Sequence, residues 1–132
     1  MKEILALLVF GVLMGLIGKV YRNYRSRRFP SLSDSEFLEV FHRHYCGNDG
    51  TILDKRSYVA HVLGIPVDKV SPEQTPEELQ ERIGYITDFY IAWDCLLDDA
   101  EEARIEIGLK SRRDQTSTIG DLVADLSAAW HK

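Results

Sequence analysis

The chain has 132 residues, 45% of them hydrophobic and 28% charged, with a formal net charge of −5, enough for one ordinary domain plus a small appendage. The charge is split: residues 1–30 hold six Lys/Arg and one acid, a net of +5, and residues 31–132 hold ten Lys/Arg and twenty Asp/Glu, a net of −10. That acidic body repels phosphate backbones and argues against nucleic-acid binding, while two cysteines, Cys46 and Cys95, neither in a CxxC, cannot build a disulfide framework.

The first element is "ILALLVFGVLMGLIG", Ile4 to Gly18, without a charged or strongly polar residue. A membrane span needs about 20 mainly apolar residues. Continuing through Lys19, whose stem can snorkel, to Val20 and Tyr21 brings the segment to the short end of the usual range. Tyr21 and Tyr24 suit the interfacial belt. A cleaved signal peptide would want a basic start and small residues before the cut, but Lys2 is offset by Glu3 and Leu16 would stand at −3 if Gly18 stood at −1. Residues 1–21 are therefore expected to be an uncleaved transmembrane anchor. Gly11 and Gly15 form a GxxxG, which offers a face for homodimerisation through the membrane helix.

Lys19, Arg22, Arg25, Arg27 and Arg28 follow with no acid between them. Such clusters stay on the cytoplasmic side, so the expected topology is N-terminus outside and body cytoplasmic, in the cell (inner) membrane. Residues 22–32 read as a basic juxtamembrane linker, and residues 33–132 as the acidic domain.

In the body, Ser33 and Glu36 predict a capping box, followed by Phe37, Val40, Phe41 and Tyr45 as an apolar helical stripe that Gly47 ends. "GNDGTILD" has the look of a calcium loop. With Asp49–Gly50 at loop positions 5 and 6, however, the ligand positions fall on Tyr45, Gly47 and Arg56, which supply no carboxylate, so a turn is expected. A helix is predicted from about Asp54 to Leu63, stopped by Gly64. An extended loop then leads to Thr75 as N-cap, Pro76 at N1 and Glu78 closing a box.

"YITDFYIAWDCLLDDAEEAR" is the clearest helix: Ile86, Phe89, Tyr90, Trp93, Leu96 and Leu97 share one face and acids fill the rest. "RIEIGL" reads as a short extended piece. Thr118 then caps a last helix with a stripe of Ile119, Leu122, Val123, Leu126 and Trp130. Nothing demands a sheet, and the predicted body is a small all-α bundle.

Chemistry is sparse. His42 and Cys46 stand at i, i+4 with His44 between them, and His61 would have to join through folding; two ligands do not close a zinc site, and no metal is expected. Cys95, His61 and the aspartates come without a nucleophile elbow, P-loop or glycine-rich phosphate loop, so no enzyme and no catalytic residue is expected.

The order of parts from about residue 54 to 130 resembles the acyl carrier protein family: "YVAHVLGIPVDKVSPEQTPEEL", an acidic amphipathic helix, an isoleucine-rich link, then "TSTIGDLVADL". Leu63–Gly64, Val67–Val70 and Thr118–Asp121 carry the likeness. The resemblance implies a serine within Asp-Ser-Leu, at the start of the second main helix, carrying phosphopantetheine. Here Asp88–Phe89–Tyr90 takes that place, and phenylalanine has no hydroxyl to modify. The expected protein is thus a membrane-tethered, non-catalytic, acyl-carrier-like interaction module without a cofactor. Its docking face for the basic surface of a partner protein would be Asp88, Asp94, Asp98, Asp99, Glu101 and Glu102. The alternative is a genuine acyl or peptidyl carrier with phosphopantetheine at a non-standard hydroxyl, of which Thr87 is the nearest.

Overall fold

The computed structural model describes residues 1–83 and 89–131. Among them the chain forms six α-helices: α1 (Lys2–Ser26), α2 (Asp34–Phe41), α3 (Asp49–Leu63), α4 (Pro76–Ile83), α5 (Phe89–Glu106) and α6 (Ile119–Leu126). Two two-residue strands, β1 (Tyr45–Cys46) and β2 (Trp130–His131), pair antiparallel. The fold is all-α, with that short ladder as its only extended pairing among the described residues.

Helix α1 is 25 residues long, about 37 Å at 1.5 Å per residue, and is long and apolar enough to cross a membrane. Its apolar side chains from Ile4 to Val20 are exposed on every side, as no soluble core helix could be. The helix does not stop at the basic cluster. Residues 22–26, expected in a linker, continue it without a break, and Ser26 and Phe29 are buried against the body.

The body is built on α3, α5 and α6, each of which packs on the other two. Ile52, Val59 and Leu63 of α3, Phe89, Trp93, Leu96 and Ala100 of α5, and Ile119, Leu122 and Val123 of α6 form the core. Helix α2 adds Phe37 and Phe41, and α4 adds Leu79. Tyr90, which the periodicity placed on the buried stripe, is 44% exposed. Ile86 lies outside the described residues.

The capping residues behave as their chemistry dictates. The Ser33 hydroxyl accepts from the Glu36 amide, and the Glu36 carboxylate accepts from the Ser33 amide. Thr118 and Asp121 make the same reciprocal box, and the Thr75 hydroxyl accepts from the Glu78 amide. Gly64 closes α3 at φ +72°, a left-handed conformation that costs glycine nothing.

Four boundaries differ from the sequence reading. Helix α2 ends at Phe41, not Gly47, because the chain turns into β1; Tyr45 is still buried, on a strand. Helix α3 starts at Asp49, not Asp54, because the Asn48 side chain accepts from the Thr51 amide and turns the "DGT" turn into a first helical turn. Helix α5 absorbs the first half of "RIEIGL" and stops where Gly108 takes φ +80° and the Leu109 amide reaches back to the Arg104 carbonyl. Helix α6 ends at Leu126; Ala128 turns left-handed at φ 55°, and Trp130 pairs with Cys46 across the ladder instead of extending the helix.

Candidate functional site

Helix α5 points Phe89, Trp93, Leu96, Leu97 and Ala100 inward, so Asp94, Cys95, Asp98, Glu102 and Ile105 face solvent. Phe89, at the place the resemblance gives to a modified serine, is fully buried, and its amide donates to Gln80 Oε1 at 3.1 Å. Asp88 and Thr87 lie outside the described residues.

The acids differ in what they already hold. Asp98 and Glu101 both receive Arg113 Nη1, the latter at 3.5 Å, so a cation from the following loop partly neutralises the middle of the face. Those acids in turn hold the Arg113 guanidinium above its ordinary range, the Asp98 hydrogen bond contributing most. The Tyr58 hydroxyl donates to Asp99 Oδ2 at 2.5 Å, tying α3 to α5; the hydrogen bond to that carboxylate is the main reason the phenol is pushed up. Asp94 and Glu102 make no ion pair or side-chain hydrogen bond among the described residues. Of the described docking acids, these two are exposed and without such a partner, and Glu102 borders a shallow groove of about 360 Å³ with Ile105 and Glu106 and shares a second with Lys55. Sequence periodicity could not find Arg113 or Tyr58, because neither lies on α5.

The basic cluster divides in the same way. Arg22 Nε donates to the Gly64 carbonyl at 3.2 Å, at the C-terminus of α3, and Arg25 Nε donates to the Arg82 carbonyl at 3.2 Å, near the end of α4. Both cations thus meet the negative ends of helix dipoles and satisfy carbonyls left over at helix ends. Arg27 lies over the Tyr24 ring at 5.8 Å, while Lys19 and Arg28 are exposed. Gly11 and Gly15 are exposed, with open space where a Cβ would stand.

The histidine and cysteine positions do not share the helical face that their i, i+4 spacing suggested, because α2 has ended before them. His42 donates from Nδ1 to the Tyr45 carbonyl at 3.2 Å, and its Nε2 lies 2.6 Å from Asp49 Oδ1. His44 is exposed, Cys46 is on β1, and His61 is on the far end of α3. Among the described residues no three His, Cys, Asp or Glu side chains converge as a metal site would require. Cys95 is exposed on the outer face of α5.

Neither a family model, a curated protein nor a solved structure matches this chain.

Proposed function

We propose that this protein is a single-pass, non-catalytic membrane module that docks the basic surface of a partner protein through the outward face of α5. The N-terminus would lie outside the cell (inner) membrane and the body on the cytoplasmic side, as the cationic flank of α1 favours. The observation that carries the reading is the division of α5. Its inner face supplies the core, and its outer face presents Asp94 and Glu102, which make no ion pair among the described residues.

Carrier-like architecture without the prosthetic arm is part of the same proposal. Its support is the order of motifs, the mutual packing of α3, α5 and α6, and the burial of Phe89 where the family would carry a reactive serine. Intact mass of the full chain from its native membrane checks this directly. A mass equal to the bare sequence fits the module, a mass raised by one phosphopantetheine makes it a carrier, and a mass lacking the apolar segment removes the anchor.

Docking is tested by a photo-crosslinking residue at Ile105, exposed on the same face, with and without Asp94→Lys plus Glu102→Lys. The double reversal is expected to reduce the crosslinked product about tenfold or more at low salt, and added salt to reduce the unaltered product as well. Capture indifferent to both reversal and salt would refute docking by charge.

A further inference from the structure

The junction between α1 and the body encloses a groove of about 480 Å³, walled by Lys19, Arg22 and Asn23 on one side and His61, Gly64 and Pro66 on the other. In a body with a net charge of −10, no Asp or Glu lines it. Lys19 is exposed and pairs with no carboxylate among the described residues. Arg22, held by the Gly64 carbonyl, keeps a second positive charge fixed in the wall. Toward the N-terminus, on the side of α1 that carries Lys19 and Asn23, Leu8, Val12 and Leu16 are exposed apolar side chains.

Position along α1 sets the depth. The uncharged stretch from Ile4 to Gly18 is about 22 Å long as helix, shorter than a hydrocarbon core of roughly 30 Å. The bilayer must therefore reach up to Lys19–Tyr21, which puts the groove at the level of the headgroups. An acyl chain would lie along Leu8, Val12 and Leu16, and its phosphate would meet Lys19.

We infer that this groove is a binding site for the phosphodiester headgroup of an anionic phospholipid, with Lys19 as its principal cation and the His61 side of α3 as its second wall. This rests on the reading of α1 as a membrane span. A bound lipid would bridge α1 and α3, and so fix the body, with its α5 face, at a set angle to the membrane.

The test uses the full chain purified in a neutral detergent, where no charged bilayer surface attracts lipid indiscriminately. Native mass spectrometry counts retained lipid after addition of phosphatidylglycerol or phosphatidylcholine. The unaltered chain is expected to retain about one phosphatidylglycerol in preference to phosphatidylcholine. Lys19→Gln should lower that preference about fivefold, the effect of one surface cation. His61→Gln should lower it to a smaller degree, and Arg28→Gln, an equal charge change outside the groove, should leave it intact. Equal loss in Lys19→Gln and Arg28→Gln, or no preference in the unaltered chain, would overturn the site. Full displacement by millimolar inorganic phosphate would assign the groove to a soluble anion and overturn the lipid assignment. Flotation with phosphatidylcholine vesicles separates the two failures. A chain that floats without headgroup preference loses only this site, whereas a chain that does not float loses the span and the inference with it.

Discussion

Arg56 shows how much one buried polar residue can organise. It is 1% exposed and lies on α3. It donates to Asp34 Oδ1 at 2.9 Å and to the carbonyls of Leu32 and Val70 at 2.9 and 3.1 Å, with its guanidinium over the Phe37 ring. One side chain thus gathers the start of α2, α3 and the loop before α4. Burial holds the guanidinium below its ordinary range despite Asp34. Arg56→Ala leaves two carbonyls without a donor and opens a void, and is expected to cost about 3 kcal/mol in urea unfolding followed by tryptophan fluorescence. Asp34→Asn, at a side chain 69% exposed, should cost about 1 kcal/mol or less. Equal costs would mean that the ion pair, and not the buried carbonyls, is what matters. Ala128 is a second case: an L-residue at φ 55° carries a penalty that glycine lacks. Ala128→Gly is expected to raise stability by about 0.5–1 kcal/mol in the same assay.

At the scale of elements, α6 and α3 each depend on their ends. Asp121 closes the capping box of α6 and also accepts from the Tyr45 hydroxyl and from the Ser117 and Thr118 amides. Burial pushes its carboxyl up, but these hydrogen bonds outweigh burial and hold it below the ordinary value of 3.8. A depressed carboxylate contributes stability that is present above its unfolded pKa and is lost as pH falls through the folded value. The chain should therefore weaken below about pH 4, and Asp121→Asn should flatten that part of an acid-unfolding curve while lowering stability at neutral pH. An unchanged acid slope in the variant would exclude Asp121 as its source. Asp125 has the opposite sign: burial raises its carboxyl above the ordinary value, against the Thr116 hydrogen bond and nearby arginines. Its contribution is full at low pH and fades as pH rises through the folded value. For α3, Gly64→Ala places a Cβ 2.7 Å from Arg22 Nε and forces φ +72° on an L-residue. A cost of about 1 kcal/mol is expected by thermal unfolding.

For the whole molecule, the main consequence is the direct attachment of α1. The helix runs unbroken to Ser26, Phe29 enters the core, and Arg22 and Arg25 bind carbonyls at the ends of α3 and α4. The body is therefore held on its helix, not suspended on a tether. Arg22→Ala with Arg25→Ala is expected to speed hydrogen exchange at least tenfold for the amides of residues 22–29, with α5 and α6 unchanged. Exchange that stays slow in the double variant would show that Ser26 and Phe29 hold the junction alone.

Amino-acid order alone prescribes the apolar first helix, the division of charge between head and body, and the helix starts at Ser33, Thr75 and Thr118. Those follow from local chemistry, namely uncharged length and side chains that bond their own neighbours' amides. The burial of Phe37, Phe41, Phe89, Trp93, Leu96 and Leu122 was legible too, because a 3.6-residue period needs no knowledge of the partner helix. The remaining features depend on packing between distant segments. Whether Tyr90 faces in or out depends on how far neighbouring helices reach around α5. Whether Trp130 extends α6 or pairs with Cys46 depends on a strand 84 residues earlier. Which acids on α5 remain without a partner depends on Arg113 and Tyr58, contributed by other elements. The basic cluster carries the same lesson. Its charge was visible in the chain, but only the packed fold assigns Arg22 and Arg25 to helix ends and leaves Lys19 facing an open groove, because contacts between distant segments follow three-dimensional packing and leave no periodic trace.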